Sequence, residues 1–142
     1  MEILFTILCG LLYLVGYPFG LTYEETSIYI CIYLWPILCT LSTIPIIFIS
    51  LKKLFIDKKL ISILFLALST IYTTLYSYYT VLLINKYNIS NPNAFTNCML
   101  DLKVLAEYYE ISYETLNILI YVVGFVFILL INRIFYKLIK NF

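Results

Sequence analysis

Histidine is absent from the 142 residues, and charged side chains make up only 12% of them. Without imidazole the chain lacks the usual general base near neutral pH and a preferred zinc ligand, and four cysteines with no short spacing do not replace it. Glycine is scarce at four residues, and no Gly-rich loop is present to cradle a phosphate. A net charge of +1 supplies no field for nucleic acid, and there is no DNA-binding motif. No charged residue lies deep in an apolar run, as proton relays, voltage sensors and intramembrane hydrolases require. No catalytic residue, metal site or cofactor is therefore assigned, and an enzyme is not expected.

Apolar residues are what the chain has in excess. They make up 63% of it, with a mean hydropathy of +0.99, whereas a soluble domain is roughly 45–50% apolar and about 25% charged. Stretches 3–23, 26–51, 60–85 and 115–132 carry no charge. Each approaches or exceeds the roughly 20 residues that a helical crossing needs, and none shows the alternation of a barrel strand. The sequence predicts an all-α integral membrane protein with one domain over 1–142. Its four transmembrane helices fall at about 3–22, 26–50, 60–85 and 113–133, as two helical hairpins. Glu2 stands where a signal peptide would be basic, so the first run is expected to be a retained helix.

Charge placement predicts the orientation. Lys52, Lys53, Lys58, Lys59, Arg133, Lys137 and Lys140 fall on one side of these spans, which the positive-inside rule makes cytoplasmic, with both termini. A multi-pass protein of the cell membrane, of the bacterial inner-membrane kind, is the expected setting. The same basic residues suit anionic lipid headgroups, or a cytosolic anionic or nucleotide-type regulator. On the other side, Phe95, Cys98, Met99, Leu102, Leu105, Ala106 and Tyr109 recur at helical spacing, predicting an amphipathic helix over about 94–110 that starts near Asn91-Pro92. Cys98 is expected to be a buried apolar residue.

The beginnings of the second and fourth spans resemble each other. Thr22-Tyr23-Glu24, with Ile28 and Ile30, matches Ser112-Tyr113-Glu114, with Ile118 and Ile120, at an offset of 90 residues. Interfacial helix starts alone favour such a pattern, through a hydroxyl cap, an acidic first turn and a tyrosine at headgroup depth. Duplication of a hairpin would produce it too, giving parallel copies about an axis along the membrane normal with Glu24 and Glu114 at equivalent places around an outer mouth.

The third span is the most polar. Ser62, Ser69, Thr73, Tyr76 and Thr80 follow one helical face, a stripe suited either to gluing helices together or to lining a hydrated path in an oligomer. Pro36 and Pro45 in the second span are candidate gating kinks, and Asn117 is the polar amide in the outer half of the fourth. Two functions fit. The first is a homo-oligomeric pore or ion channel that depolarises a membrane, in the manner of an antiviral effector or toxin, with the stripe as lining. The second is a non-conducting interaction, immunity or accessory subunit that docks a partner through its outer helix. A carrier built on duplicated hairpins is a third and weaker fit.

Overall fold

A computed structural model describes residues 2–57 and 60–141, and every element among them is helical. Four stretches are long and apolar enough to cross a membrane: Glu2–Phe19, Tyr23–Ile56, Leu60–Lys86 and Tyr113–Asn141. The second and fourth continue past their charge-free cores because lysine and arginine extend a helix readily while their heads reach for water.

Helix α1 covers Glu2–Gly16 and runs into a 3-10 turn at Tyr17–Phe19, where Pro18 stops the α ladder. Gly20 closes the turn in the left-handed region at φ 67°. The first long helix then begins as α2, Tyr23–Ile28, under a reciprocal cap: Thr22 Oγ1 accepts from the Glu25 amide, and the Glu25 carboxylate accepts from the Thr22 amide. It widens into a π turn over Tyr29–Leu34 and continues as α3, Trp35–Asp57. Pro36 has no amide to donate, so the ladder shifts there, and the Trp35 amide donates to the Ile30 carbonyl instead.

Helix α4, Leu60–Lys86, returns antiparallel to α3, with Thr80 beside Thr40 and Ser69 beside Ser50. Next comes α5, Ala94–Tyr108, which starts after a turn in which the Asn91 side chain and carbonyl accept from the Asn93 and Ala94 amides. The second long helix is α6, Tyr113–Ile118, a π turn over Leu119–Gly124, and α7, Phe125–Asn141. It lies parallel to the first long helix and in register with it: Trp35 and Phe125 stack with ring centroids 3.9 Å apart, and the Asn132 amide donates to Ser42 Oγ.

The offset of 90 residues now becomes a fact of structure. Each π turn lies 90 residues from the other, and so do the cap bonds: Thr115 N–H donates to Ser112 Oγ at 3.2 Å, as Glu25 N–H does to Thr22 Oγ1. Glu110 occupies the left-handed region at φ 54° where Gly20 does at φ 67°. Phe5 meets Tyr113 edge-on at 5.9 Å and 78°, and Phe95 meets Tyr23 at 5.8 Å and 77°. Exchange of partners between copies is what a two-fold axis produces, and the mutual contacts 35/125 and 42/132 place that axis between the two long helices.

The duplicated unit differs from the hairpin pair expected from sequence. Its first arm is α1 in one copy and the amphipathic α5 in the other, while α4 belongs to neither copy and serves as the connection. Both arms contact the first turns of the long helices, α2 and α6. Gly16, near one end of α1, packs on Thr26, whereas Phe5, near its other end, packs on Tyr113. Thr26 and Tyr113 both lie in first turns, so α1 passes over the ends of the long helices instead of running down beside them. This end of the bundle is capped by α1 and α5 together.

Candidate functional site

Two features gather the polar and cavity-lining side chains. The first is a seam of hydroxyls between α3 and α4. Thr80 Oγ1 shares a hydrogen with Thr40 Oγ1 at 3.0 Å and approaches the Pro36 carbonyl at 3.4 Å, which Thr40 also reaches at 3.0 Å. Further along, Ser69 donates to Ser50 Oγ at 3.4 Å and to the Leu66 carbonyl at 2.9 Å. Ser62 is buried in the same bundle, and Tyr76 is half-buried with its ring against Tyr72. Three residues of the predicted stripe, Ser62, Ser69 and Thr80, are thus enclosed within one chain. Thr73 is the exception in bonding: among the described residues its Oγ1 is the one buried side-chain oxygen without a hydrogen-bond partner.

A cross-link not expected from the sequence ties the second long helix to this seam. Tyr72 Oη donates to Asn132 Oδ1 at 2.7 Å while the Asn132 amide donates to Ser42, so one buried amide joins α3, α4 and α7. Asn132 stands at the very end of a charge-free run, and its one sequence signal is its position 90 residues after Ser42. Asn117, the amide singled out from sequence, instead donates to the Tyr113 carbonyl of its own helix, as Ser27 does to Tyr23.

The second feature is a chamber of about 300 Å³ beneath the capped end. Helix α1 contributes Leu8, Cys9 and Leu12, and α5 contributes the residues 90 positions on, Cys98, Met99 and Leu102. The long helices contribute Ile28, Cys31 and Ile32, and again Ile118, Tyr121 and Val122. Trp35 also lines it. The chamber therefore straddles the pseudo-two-fold axis. Six of its polar residues bond to their neighbours: Tyr23 Oη meets Cys9 Sγ at 3.3 Å, Tyr121 Oη meets Cys98 Sγ at 3.8 Å, and Ser27 and Asn117 bond to backbone.

One side of the capped end carries an extra fastening. Asp101 of α5 accepts from Tyr87 Oη at 2.6 Å and pairs with Lys86 Nζ at 2.8 Å. Those two bonds hold its carboxyl below the ordinary value, and burial followed by the bond to Asp101 raises the Tyr87 phenol. Tyr33 Oη accepts from the Ile89 amide at 3.2 Å, and Tyr87 joins Ile28, Ile32, Ala94 and Cys98 in a buried cluster. Cys98 is buried as expected, and desolvation pushes its thiol up.

The other predicted residues are dispersed. Glu24 and Glu114 occupy equivalent positions in the first turns of the long helices. Pro36 borders the first π turn, and Pro45 lies inside an unbroken α3. Lys52 and Lys53 lie on α3, and Arg133, Lys137 and Lys140 on α7, all toward the uncapped end. By the in-register pairing, Arg133 stands level with Thr43 and Lys140 with Ser50, so these residues form a staggered band and not one cleft. Lys58 and Lys59 lie outside the described residues. No protein-family model, curated protein or solved structure matches the chain.

Proposed function

We propose that this chain is a non-enzymatic, multi-pass membrane protein that acts by association within the bilayer, an interaction or accessory subunit and not a conduit along its hydroxyl stripe. The observation that supports this reading is the seam: Thr40–Thr80 and Ser50–Ser69 spend the stripe on helix–helix contact. A path along it would require breaking α3 from α4, the most extensive packing in the bundle. The predicted docking face of α5 needs revision under this reading, because Cys98 and Ala106 are buried and Leu102 lines the chamber. Leu100, Val104 and Tyr108, spaced by four residues and at least half exposed, form the edge left for a partner.

A homo-oligomeric pore of the toxin or antiviral kind is the second reading. It is favoured by Thr70, Thr74 and Tyr78, which also advance by four residues and lie exposed on α4. Copies meeting around that face would be lined by these hydroxyls, with Glu24 and Glu114 around the capped mouth. Purified protein in sealed liposomes with a potential-sensitive dye and size-graded trapped solutes separates the two. Association without conduction predicts tight vesicles at every dose. Leakage suppressed by Thr70→Leu or Thr74→Leu would establish the pore and overturn the first reading.

A further inference from the structure

We infer that the chamber on the pseudo-two-fold axis takes up the hydrocarbon chain of a membrane lipid. Among the described residues no charged side chain lines it, and Cys9, Tyr23, Ser27, Cys98, Asn117 and Tyr121 have their polar groups bonded to one another or to backbone, which leaves mostly apolar walls for whatever enters. Dry apolar cavities of about 150 Å³ accept a six-carbon ring, so about 300 Å³ is room for roughly a dozen carbons. The chain's four apolar stretches place it among lipids, whose acyl chains are the abundant solute of that shape.

Geometry also supplies a mouth. Leu11, Val15 and Leu34 line the chamber and are 51%, 52% and 46% exposed, so they form an apolar rim open to the surroundings between α1 and the first long helix. The opposite side has no such rim. At the equivalent place between α5 and the second long helix the positions are Asp101, Leu105 and Gly124, none of which lines the chamber, and Asp101 is held instead by Lys86 and Tyr87. The two sides of the chamber are therefore unequal, and the apolar opening lies on the α1 side. An acyl chain enters laterally through the open side, and its tail approaches Trp35.

Trp35 is the only tryptophan, so its fluorescence reports on the chamber without added labels. The experiment compares protein in vesicles of phosphatidylcholine with protein in vesicles whose phosphatidylcholine carries bromine at mid-chain, since bromine quenches on contact. Quenching by half or more in the wild type is expected, falling at least two-fold when Leu12→Phe or Val122→Phe fills the space. Absence of quenching in the wild type, or equal quenching in correctly folded filled variants, would overturn the inference. Should the filled variants fail to fold by circular dichroism, a phosphatidylcholine with a mid-chain diazirine decides on the wild type. Photolabel on Leu12 or Cys31 supports uptake, and label confined to outward positions such as Leu14 and Leu38 refutes it. Neither readout depends on whether the protein conducts.

Discussion

Gly16 and Ala106 show how two copies of one unit diverge side chain by side chain. A Cβ on Gly16 would collide with Thr26, whereas at the equivalent positions in the second copy stand Ala106, which carries a methyl, and Leu116, both buried. Gly16→Ala is expected to cost about 1–3 kcal/mol through overpacking, read as a lowered thermal midpoint in detergent, and Thr26→Ala should recover part of it. Gly20 differs in kind, because nothing lies within 4 Å of its would-be Cβ and only its φ of 67° demands glycine. Gly20→Ala should therefore cost about 1 kcal/mol by backbone strain alone. Glu110 bears that strain already at φ 54°, and Glu110→Gly should relieve up to about 1 kcal/mol, measured by the same melts. None of this was visible at the level of residue type: glycine at 16 and 20 reads alike in sequence, and only the packing separates a crowded site from a left-handed turn.

Among the elements, α5 is held by its neighbours and not by a side-chain cap at its start. Asn93 at its start makes no side-chain cap bond, and the Lys86–Tyr87–Asp101 group fastens it to the end of α4. Asp101→Asn and Tyr87→Phe are each expected to speed hydrogen exchange across α5 while leaving α3 and α4 protected. The pH dependence follows from the depressed Asp101 carboxyl. Its stabilising effect is fully present above its free value of 3.8 and disappears as pH falls through the lower folded value, so exchange across α5 should be insensitive to pH between 5 and 8, after correction for intrinsic rates, and rise only in strong acid. Helical periodicity was enough to predict α5 and its apolar face. Its start near residue 94 was legible too, whereas the turn that the Asn91 side chain makes just before it was not, because such a turn leaves no periodicity. The π turns were hidden for a similar reason: Pro36 announces one of them, but Gly124 in the other gives no comparable signal.

For the whole molecule, the pseudo-two-fold axis has a consequence for the membrane. An axis parallel to the two long helices puts α1 and α5 at the same level along it, although α1 carries no charge after Glu2 and α5 carries Asp101, Lys103 and Glu107. In a background without native cysteines, Glu2→Cys and Asn97→Cys are therefore expected to react with an impermeant thiol reagent from the same side, and Lys137→Cys from the opposite one. Reaction of Glu2→Cys from the Lys137 side would instead support the four-crossing, two-hairpin arrangement expected from charge alone. The seam can be tested at this scale too. Ser69→Leu should separate α3 from α4 and lower the thermal midpoint, whereas Leu68→Ala, on the outward face, should leave it nearly unchanged.

Composition and charge spacing were sufficient to specify an all-helical chain with four stretches able to cross a membrane, because hydrocarbon tolerates few charges and requires backbone polar groups to be paired within each segment. The 90-residue offset was also legible, since capping chemistry leaves a local signature in residue type. Tertiary structure alone decided which segments are the equivalent arms, that the α4 hydroxyls face α3, and that a chamber forms at the axis. Those outcomes depend on contacts between different helices, such as Thr40 with Thr80 and Ser42 with Asn132, 40 and 90 positions apart, and no periodicity within a single helix encodes its partner.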